Sequence, residues 1–360
     1  MRGAYDCTNL LVPASSDFYY ESRPTIAIAE PGSDPEAALP LTDGWGLHPV
    51  MAKTLLPLYQ AKELAFVPFA GTDDLSRSHF ETQNGIELGR PGKSDRQYRS
   101  GFLNRLAEVL NKNHAQPVSF TRDVPQIWRG EYSVPNLDLG GSRRSGLGDK
   151  RTKALETMYR DTELSAAVNE GIQLNAMARA DLDKEMKEAN GKALPASQLE
   201  REAARVGRFM ADRYNLGFID VGGWDTHVGQ GGATGSLANK LGQLGRALVS
   251  YKAALGSAWR DTTVVVISEF GRTFRENGNK GTDHGHGTVY WVLGGTVQGG
   301  RIAGRQVEVR RDTLFQDRDY PVLNDYRALF AGLFTRLYGL DAKRLEQVFP
   351  GARAQDLKLV

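Results

Sequence analysis

Two apolar runs with little polar alternation lie in the second half of the chain, at residues 216–221 and 262–267. Runs of this kind are typical of strands that are buried on both faces of a parallel sheet. Between them, from Leu237 to Leu255, apolar residues recur at the spacing of three and four positions that marks one stripe of a helix. Such a helix is long enough to connect parallel neighbours, so we expect the two strands to pair in parallel.

Helices and strands also alternate in the rest of the sequence. Residues 64–69 form an apolar run that predicts a strand, and a helix is predicted to begin near Ser78. Residues 153–213 and 326–337 show helical patterns. The segment at about 90–150 is rich in Gly, Arg, Ser and Asp, so we interpret it as a surface excursion rather than a separate domain. Together these patterns predict an α/β fold.

Composition narrows the functional classes. The 360 residues are 40% hydrophobic and 24% charged, with a net charge of +2, which indicates a soluble globular protein of one large or two smaller domains. The near-neutral charge and the lack of basic runs interleaved with aromatic residues argue against a nucleic-acid partner. Cys7 is the only cysteine, which excludes an intrachain disulfide and a thiolate zinc site. No stretch approaches the roughly 20 apolar residues that a membrane span needs.

Acidic and imidazole side chains follow each of the two apolar runs. Parallel sheets place their ligand sites at the carboxyl ends of the strands, so we expect these side chains to meet at one edge of the sheet. Carboxylate and imidazole groups that converge in this way predict a divalent metal site. The candidate ligands are Asp225, His227, Glu269, Asp283, His284 and His286.

Several other polar residues have two interpretations. Ser78 follows a predicted strand and stands three residues before Glu81, so it is either a helix N-cap or a nucleophile at the positive end of the helix dipole. Glu269 and Arg272 are either site residues or a structural ion pair. His48 and His79 each stand alone in the sequence, which favours packed or loop histidines over metal ligands.

The chain resembles the bacterial domain-of-unknown-function 1501 family (DUF1501) of the alkaline-phosphatase-like superfamily, which also includes sulfatases. The motifs that carry the resemblance occur in the expected order along nearly the whole chain. They lie at residues 2–6, 78–80, 222–227, 268–273, 277–278 and 283–285, with paired glycines at 294–295 and 299–300. The resemblance implies a single domain over residues 1–360, built on an alkaline-phosphatase-like central, mostly parallel sheet with helices on both faces.

The resemblance also implies a function and a ligand set. We expect a metal-dependent hydrolase of phosphate or sulfate esters that holds one or two divalent ions, Zn²⁺, Mn²⁺ or Ca²⁺, and uses Ser78 as a metal-bound hydroxyl nucleophile. Asp6 is implied as a further metal ligand, and Arg272 is expected to bind substrate oxygens. Phe270 stands where the superfamily usually has a ligand histidine. Residues 2–6 have the pattern of a strand-to-loop junction, and the strand itself is expected before Met1.

A second class of function stays open at this point. On the same fold, the chain could be a catalytically inert metal-binding or surface-interaction protein. For the hydrolase, the expected partner is a small-molecule or polymer-borne phosphate or sulfate ester, without nucleic acid or a membrane span, and the oligomeric state is left open. The resemblance implies a periplasmic or extracytoplasmic location, and a cytoplasmic one stays open.

Overall fold

The structure is a computed structural model that describes residues 1–90, 99–111, 115–121, 123–137, 154, 157–173 and 198–360. Its α-helices are α1 (Asp17–Ser22), α2 (Leu55–Gln60), α3 (His79–Leu88), α4 (Phe102–Leu110), α5 (Gln198–Asp212), α6 (Ser236–Leu255), α7 (Tyr326–Tyr338) and α8 (Ala342–Val348). Its strands are β1 (Leu11–Val12), β2 (Leu39–Pro40), β3 (Gly46–Leu47), β4 (Leu64–Gly71), β5 (Pro117–Ser119), β6 (Leu216–Phe218), β7 (Val264–Val266), β8 (Thr288–Leu293), β9 (Arg301–Ile302) and β10 (Asn324–Asp325).

The central sheet is built around β4, in which every residue is buried. Its strand order is β10-β4-β8-β7, and β9 pairs with β4 as well. β4 is parallel to β9 and β10 and antiparallel to β8, which is in turn antiparallel to β7. Among the described strands this sheet is therefore mixed. The polypeptide leaves the carboxyl end of β4 at Gly71 and reaches the start of α3 at His79 after a short loop.

The predicted parallel pairing of β6 with β7 is wrong. β7 pairs antiparallel with β8, placing Val265 opposite Val292, whereas β6 pairs in parallel with β5 in a separate sheet, placing Gly217 opposite Val118. The strand–helix–strand order is right, because α6 does connect the two strands. The sequence analysis did not recognise β8, a wholly buried strand that supplies the backbone hydrogen bonds of β7. The mostly parallel sheet is thus corrected to a partly parallel, mixed α/β arrangement.

Helices cover both faces of the central sheet. Phe66 and Trp291 are paired across β4 and β8, and they belong to an apolar core that also contains the leucines of α6. Val67 and Tyr290, one position along, belong to a second core formed with α4, α7 and α8. This division follows from the alternation of side chains along a strand. Because both faces are packed, the functional groups of the sheet are confined to its strand ends and loops.

Much of the predicted surface excursion at residues 90–150 is part of the interior. Phe102 and Leu106 of α4 are buried in the second core, and Trp128 is buried with them. The apolar positions of α4 form one stripe, which gives this helix a core-facing side. Residues 91–98, 112–114, 122 and 138–150 of the segment lie outside the described residues, as do 174–197 of the predicted helical region. Among the described helices, none is long and apolar enough to cross a membrane.

His48 is a packed histidine, as its isolation in the sequence predicted. Its side chain is fully buried, its Nδ1 atom accepts a hydrogen bond from the amide of Val50 at 3.1 Å, and its Nε2 atom lies 3.1 Å from the carbonyl oxygen of Gly232. Because a carbonyl only accepts hydrogen bonds, Nε2 carries the proton. Burial lowers the pKa of His48 to about 4, although the Gly232 carbonyl and the charge of Asp6 both act to raise it.

The buried neutral state of His48 makes the stability of the fold dependent on pH. The unfolded chain takes up a proton near the ordinary histidine pKa of 6.5, and the folded chain does so only near about 4. The free energy of unfolding should therefore fall as the pH is lowered between these two values, by on the order of 3 kcal/mol at most from this residue. Urea denaturation between about pH 7 and about pH 5 measures the slope.

His48→Asn is the matched variant, because its amide oxygen can still accept from the Val50 amide but takes up no proton. This variant should show a flatter pH dependence than the wild type. An equal slope in the two proteins would show that His48 does not titrate as its burial requires.

Candidate metal centre

His79 is the first residue of α3, and its ring is held from behind by a buried carboxylate. The Nδ1 atom of His79 lies 2.7 Å from Oε1 of Glu269. An ionised carboxylate only accepts hydrogen bonds, so Nδ1 of His79 carries the proton and the lone pair of the ring is on Nε2. This arrangement of carboxylate and imidazole is the one that orients histidine ligands in metalloproteins.

Glu269 is fixed in this position by its other hydrogen bonds. Its Oε1 atom also accepts from the amide of Gly3 at 2.7 Å and from Nε2 of Gln83 at 2.8 Å, and its Oε2 atom accepts from the hydroxyl of Ser268 at 2.9 Å. Burial would raise the pKa of Glu269, but backbone hydrogen bonds together with those from Gln83, Gly3 and His79 outweigh it, and the pKa is lowered. Glu269 is therefore ionised and positions His79. The sequence had predicted that Glu269 would itself be a metal ligand.

His284 is oriented in the same way by a backbone carbonyl. Its Nδ1 atom lies 3.1 Å from the carbonyl oxygen of Arg77, so Nδ1 donates and the lone pair is again on Nε2. Arg77 has a φ of 53°, a conformation that side chains other than glycine adopt rarely. Its guanidinium group pairs with buried Asp319 at 2.7 Å, and Arg318 links the same carboxylate to the carbonyl of His284. The strained turn is thus tied to His284 from two sides.

His227 completes a set of three imidazoles with the same orientation. Its Nδ1 atom lies 3.3 Å from Oδ1 of Asp283, which places its lone pair on Nε2 too. Asn277 donates to both Asp283 and the carbonyl of His227, each at 3.0 Å. The pKa of Asp283 is lowered, because the hydrogen bond from Asn277 outweighs the opposing effect of burial and His227 lowers the pKa further. Asp283 is accordingly charged, and it orients His227.

The three Nε2 atoms meet beside the carboxylate of Asp225. The Nε2 atom of His284 lies 2.9 Å from that of His79 and 3.1 Å from that of His227. Oδ1 of Asp225 lies 2.9 Å from Nε2 of His227 and 3.3 Å from Nε2 of His284, and Oδ2 lies 3.6 Å from Nε2 of His79. Ligand atoms bonded at about 2.0–2.1 Å to a tetrahedral zinc ion stand about 3.3 Å apart, so the separations among His79, Asp225 and His284 suit one cation.

One group within this cluster that could hold a cation consists of His79, Asp225 and His284, whose ligand atoms all lie within 4.8 Å of one another. His227 contacts Asp225 and His284 on the other side of the group. The first three residues therefore form a primary candidate position for a cation. The Nε2 atom of His227 faces an adjoining position, since it contacts the same carboxylate.

Arg272 fixes Asp225 from inside the protein. Its guanidinium group is fully buried, and it donates to the carboxylate of Asp225 and to the backbone carbonyls of Gly3, Ala4, Trp224 and Thr282. Burial would raise the pKa of Asp225, but the charge of and the hydrogen bond from Arg272 outweigh it, with His227 and His284 adding to the lowering. Asp225 is thus held ionised with its free edge towards the histidines. These contacts all lie inside the protein. Arg272 therefore positions Asp225 and does not direct these donors towards a substrate.

Aromatic packing supports the imidazole rings. The ring of Phe270 is buried and stacks on the ring of His79, with centroids 5.0 Å apart and planes inclined by 25°. Phe270 also contacts the ring of His284 at 5.3 Å. Phe270, which stands where a ligand histidine was expected, therefore packs against two histidine rings and limits their movement. Its side chain supplies no ligand atom.

The structure does not bring every predicted ligand to the cluster. The carboxylate of Asp6 is fully buried and is bound by Arg23 at 2.5 Å and by Nε2 of Gln230 at 2.6 Å, which places it in a separate ion pair. His286 is buried against the ring of Phe315 at 5.0 Å. Burial lowers the pKa of His286 to about 4, assisted by the charge of Arg77.

Ser78 is the N-cap of α3, and its Oγ atom accepts from the amide of Glu81 at the long distance of 3.5 Å. The capping interpretation is confirmed by this contact. The same position places the hydroxyl group one residue before His79 at the positive end of the helix, so its role as nucleophile stays a prediction.

A comparison of the chain with protein families identifies one whose model matches residues 1–349, described as a protein of unknown function (DUF1501). The match covers nearly the whole chain. The protein is a member of the DUF1501 family. No curated protein and no solved structure matches this DUF1501 chain.

The sequence favoured a packed or loop histidine at position 79 over a metal ligand, and this choice stays a prediction. In the structure, His79 belongs to the group of side chains that could hold a cation. Its isolation along the chain gave no sign of this group, because α3 brings it to residues that lie 146 to 205 positions away. The available signal was its place at the start of a helix that follows a buried strand, the same position that drew attention to Ser78.

Replacing Arg272 with lysine should destabilise this DUF1501 protein by roughly 2–4 kcal/mol, because one ammonium group cannot satisfy four buried carbonyls and a carboxylate. The free energy of unfolding from urea denaturation measures the loss. Arg275→Lys is the control, since the Arg275 guanidinium donates to the carbonyl of Asp317 near the surface. The control should cost less than about 1 kcal/mol. Equal losses in the two variants would contradict the positioning role of Arg272.

Proposed function

We propose that this DUF1501 protein is a metal-dependent hydrolase of phosphate or sulfate esters that holds one or two divalent ions. One observation carries the proposal: three imidazole rings donate their Nδ1 protons to fixed acceptors and direct their Nε2 lone pairs towards one another and towards Asp225. Three lone pairs at separations of 2.9 Å and 3.1 Å repel each other unless a positive charge lies among them. A bound cation converts this repulsion into ligation.

A proton is the other positive charge that can relieve the contact. A doubly protonated His79 would donate from Nε2 to Nε2 of His284. Burial, together with the charges of His79 and Arg272, lowers the pKa of His284, so His284 itself is the neutral partner in this pair. A bound cation and a proton differ in the metal content that they imply, so metal analysis of the purified protein distinguishes them.

The donor set favours particular cations. Imidazole nitrogen with a carboxylate oxygen is a combination that Zn²⁺ and Mn²⁺ accept, whereas Ca²⁺ prefers a shell made of oxygen atoms alone. His79, Asp225 and His284 would hold the first ion, and His227, oriented by Asp283, would contribute to a second. Such ions supply positive charge to the ester oxygens as charge develops on them.

Residues at the start of α3 are suited to the ester itself. The hydroxyl group of Ser78 would bond to the phosphorus or sulfur atom, and its proton would end on the alcohol that leaves. Water would then cleave the serine ester and regenerate the hydroxyl group, releasing phosphate or sulfate. The start of a helix also favours an anion, and in α3 the Ser78 hydroxyl group already accepts from the amide of Glu81.

One observation favours the inert alternative, a metal-binding protein without turnover. The guanidinium group of Arg272, expected to bind substrate oxygens, is fully buried and engaged with backbone carbonyls and Asp225. A hydrolase must therefore bind its ester through the cations and the start of α3, without this arginine. Metal content is common to the two functions, and turnover distinguishes them.

Metal analysis of the purified protein tests the cluster. We expect about one equivalent or more of Zn²⁺ or Mn²⁺ in the wild type, and a large loss in His79→Ala and His284→Ala, since removing one ligand typically weakens a site by orders of magnitude. His286→Gln is the control, because His286 packs against Phe315 away from the cluster. It should retain its metal. Circular dichroism confirms that each variant is folded, and metal retention in folded His79→Ala would refute the ligand set.

Turnover of p-nitrophenyl phosphate, bis-p-nitrophenyl phosphate and p-nitrophenyl sulfate, with and without a chelator, tests the chemistry. Ser78→Ala should keep its metal and lose about a thousandfold or more in kcat for the ester that is hydrolysed, as expected for loss of a nucleophile. Ser76→Ala is the matched control in the same loop, and it should remain active. Equal activity in the two variants would leave Ser78 as a helix cap, and metal without turnover of any ester would favour the inert protein.

A further inference from the structure

Helix α3 presents two adjacent faces that perform different tasks. His79 and Gln83, four residues apart, point to Glu269 behind the cluster. Phe80 and Asn84, displaced by one position, line a groove of about 390 Å³ on the outside of the helix. The groove thus begins one residue away from a candidate metal ligand. Gln83 contacts both sides, because it lines the groove and also donates to Glu269 behind the ring of His79.

A fixed polar network joins the groove to the cluster. Arg2 lines the groove and donates to Oε1 of Gln83 at 2.8 Å, while the same side chain pairs with Glu87 at 2.7 Å and with Asp220 at 2.8 Å. Gln83 in turn donates to Glu269, which holds His79. The polar floor of the groove is therefore ordered by the same contacts that orient the cluster.

The charge of the groove is unsuited to a polyanion. The described residues that line it include three carboxylates, Glu87, Asp123 and Asp220, and two guanidinium groups, Arg2 and Arg129, which give a net charge of −1. A nucleic acid or a polyphosphate would be repelled by such a surface. The part of the ligand that lies in the groove should instead be uncharged and polar.

An exposed aromatic ring stands in this polar surface. Phe80 is 87% exposed, although a phenylalanine ring contributes most when it is covered. Around it lie amide, carboxylate and hydroxyl groups, including those of Asn84, Asp123, Gln126 and Thr121. This is the combination that a sugar ring requires, because its carbon–hydrogen face packs on an aromatic ring while its hydroxyl groups both donate and accept hydrogen bonds.

We infer that the groove binds a sugar ring, so that the substrate is a phosphate or sulfate ester of a carbohydrate. The inference rests on the proposed function for its reaction, in which water divides the ester into a sugar hydroxyl group and inorganic phosphate or sulfate. The binding of the sugar, however, depends only on the groove. Phe80 is the specificity residue, and Asn84, Asp123 and Gln126 contact the hydroxyl groups.

Saturation-transfer NMR with the methyl glycosides of glucose, galactose, mannose and N-acetylglucosamine tests the groove without any turnover. At least one glycoside should bind to the wild type, and its affinity should fall by about tenfold or more in Phe80→Ala, equivalent to about 1.4 kcal/mol. Phe80→Tyr keeps the ring and should retain binding. Val228→Ala is the control, an exposed apolar side chain next to His227 that is absent from the groove lining. Failure of every glycoside to bind, or equal binding to Phe80→Ala, would overturn the inference.

Turnover then separates this inference from the proposed function. The phosphate and sulfate esters of the sugar that binds best are compared with methyl phosphate and methyl sulfate. We expect a higher kcat/KM for a sugar ester than for the methyl ester, and this preference should fall by about tenfold in Phe80→Ala. Hydrolysis of the methyl ester with no preference for the sugar ester would overturn the substrate class alone. Sugar binding that depends on Phe80, without hydrolysis of any ester, would support the groove and refute the hydrolase.

Discussion

The hydrogen bond from Nδ1 of His79 to the buried carboxylate of Glu269 determines the direction in which the candidate site faces. Glu269 accepts four hydrogen bonds, so it cannot turn towards solvent without leaving buried donors unsatisfied. His79 is consequently held with Nε2 outward, and the carbonyl of Arg77 and the carboxylate of Asp283 impose the same orientation on His284 and His227. The cluster follows from these three acceptors as much as from the histidines themselves.

The elements that carry these groups come from distant parts of the chain. The turn before α3, the segment after β7 and the segment before β8 each contribute a histidine or its acceptor. The central sheet makes this convergence possible, because β4 lies beside β8 and β8 beside β7. An antiparallel pair brings the end of one strand next to the start of the other. The site therefore lies at one edge of the sheet although the sheet is mixed.

Part of this arrangement could be predicted from the sequence. The strands at 64–69 and 262–267 were recognisable from their continuous apolar runs, and the candidate ligands Asp225 and His284 from their places after the runs at 216–221 and 262–267. β4 is wholly buried as expected, whereas the residues of β7 are half-buried. The pairing of β7 could not be predicted, because the local sequence pattern does not determine which neighbouring strand supplies its backbone hydrogen bonds.

The roles of individual polar residues were also beyond the sequence. A glutamate at the end of a strand has the same local pattern whether it binds a cation, as proposed for Glu269, or orients a histidine that does. Burial and hydrogen-bond partners decide between the two roles, and both depend on residues far away in the chain. The same holds for Arg272, whose partners belong to three separate segments.

X-ray absorption spectroscopy of the protein loaded with Zn²⁺ counts the imidazole ligands of the bound metal through its multiple-scattering pattern. We expect at least two imidazole nitrogens and one carboxylate oxygen at about 2.0–2.2 Å from the metal, with one imidazole fewer in His79→Ala. A spectrum without imidazole scattering, or one that His79→Ala leaves unchanged, would contradict the claim that these Nε2 atoms are directed towards a shared cation.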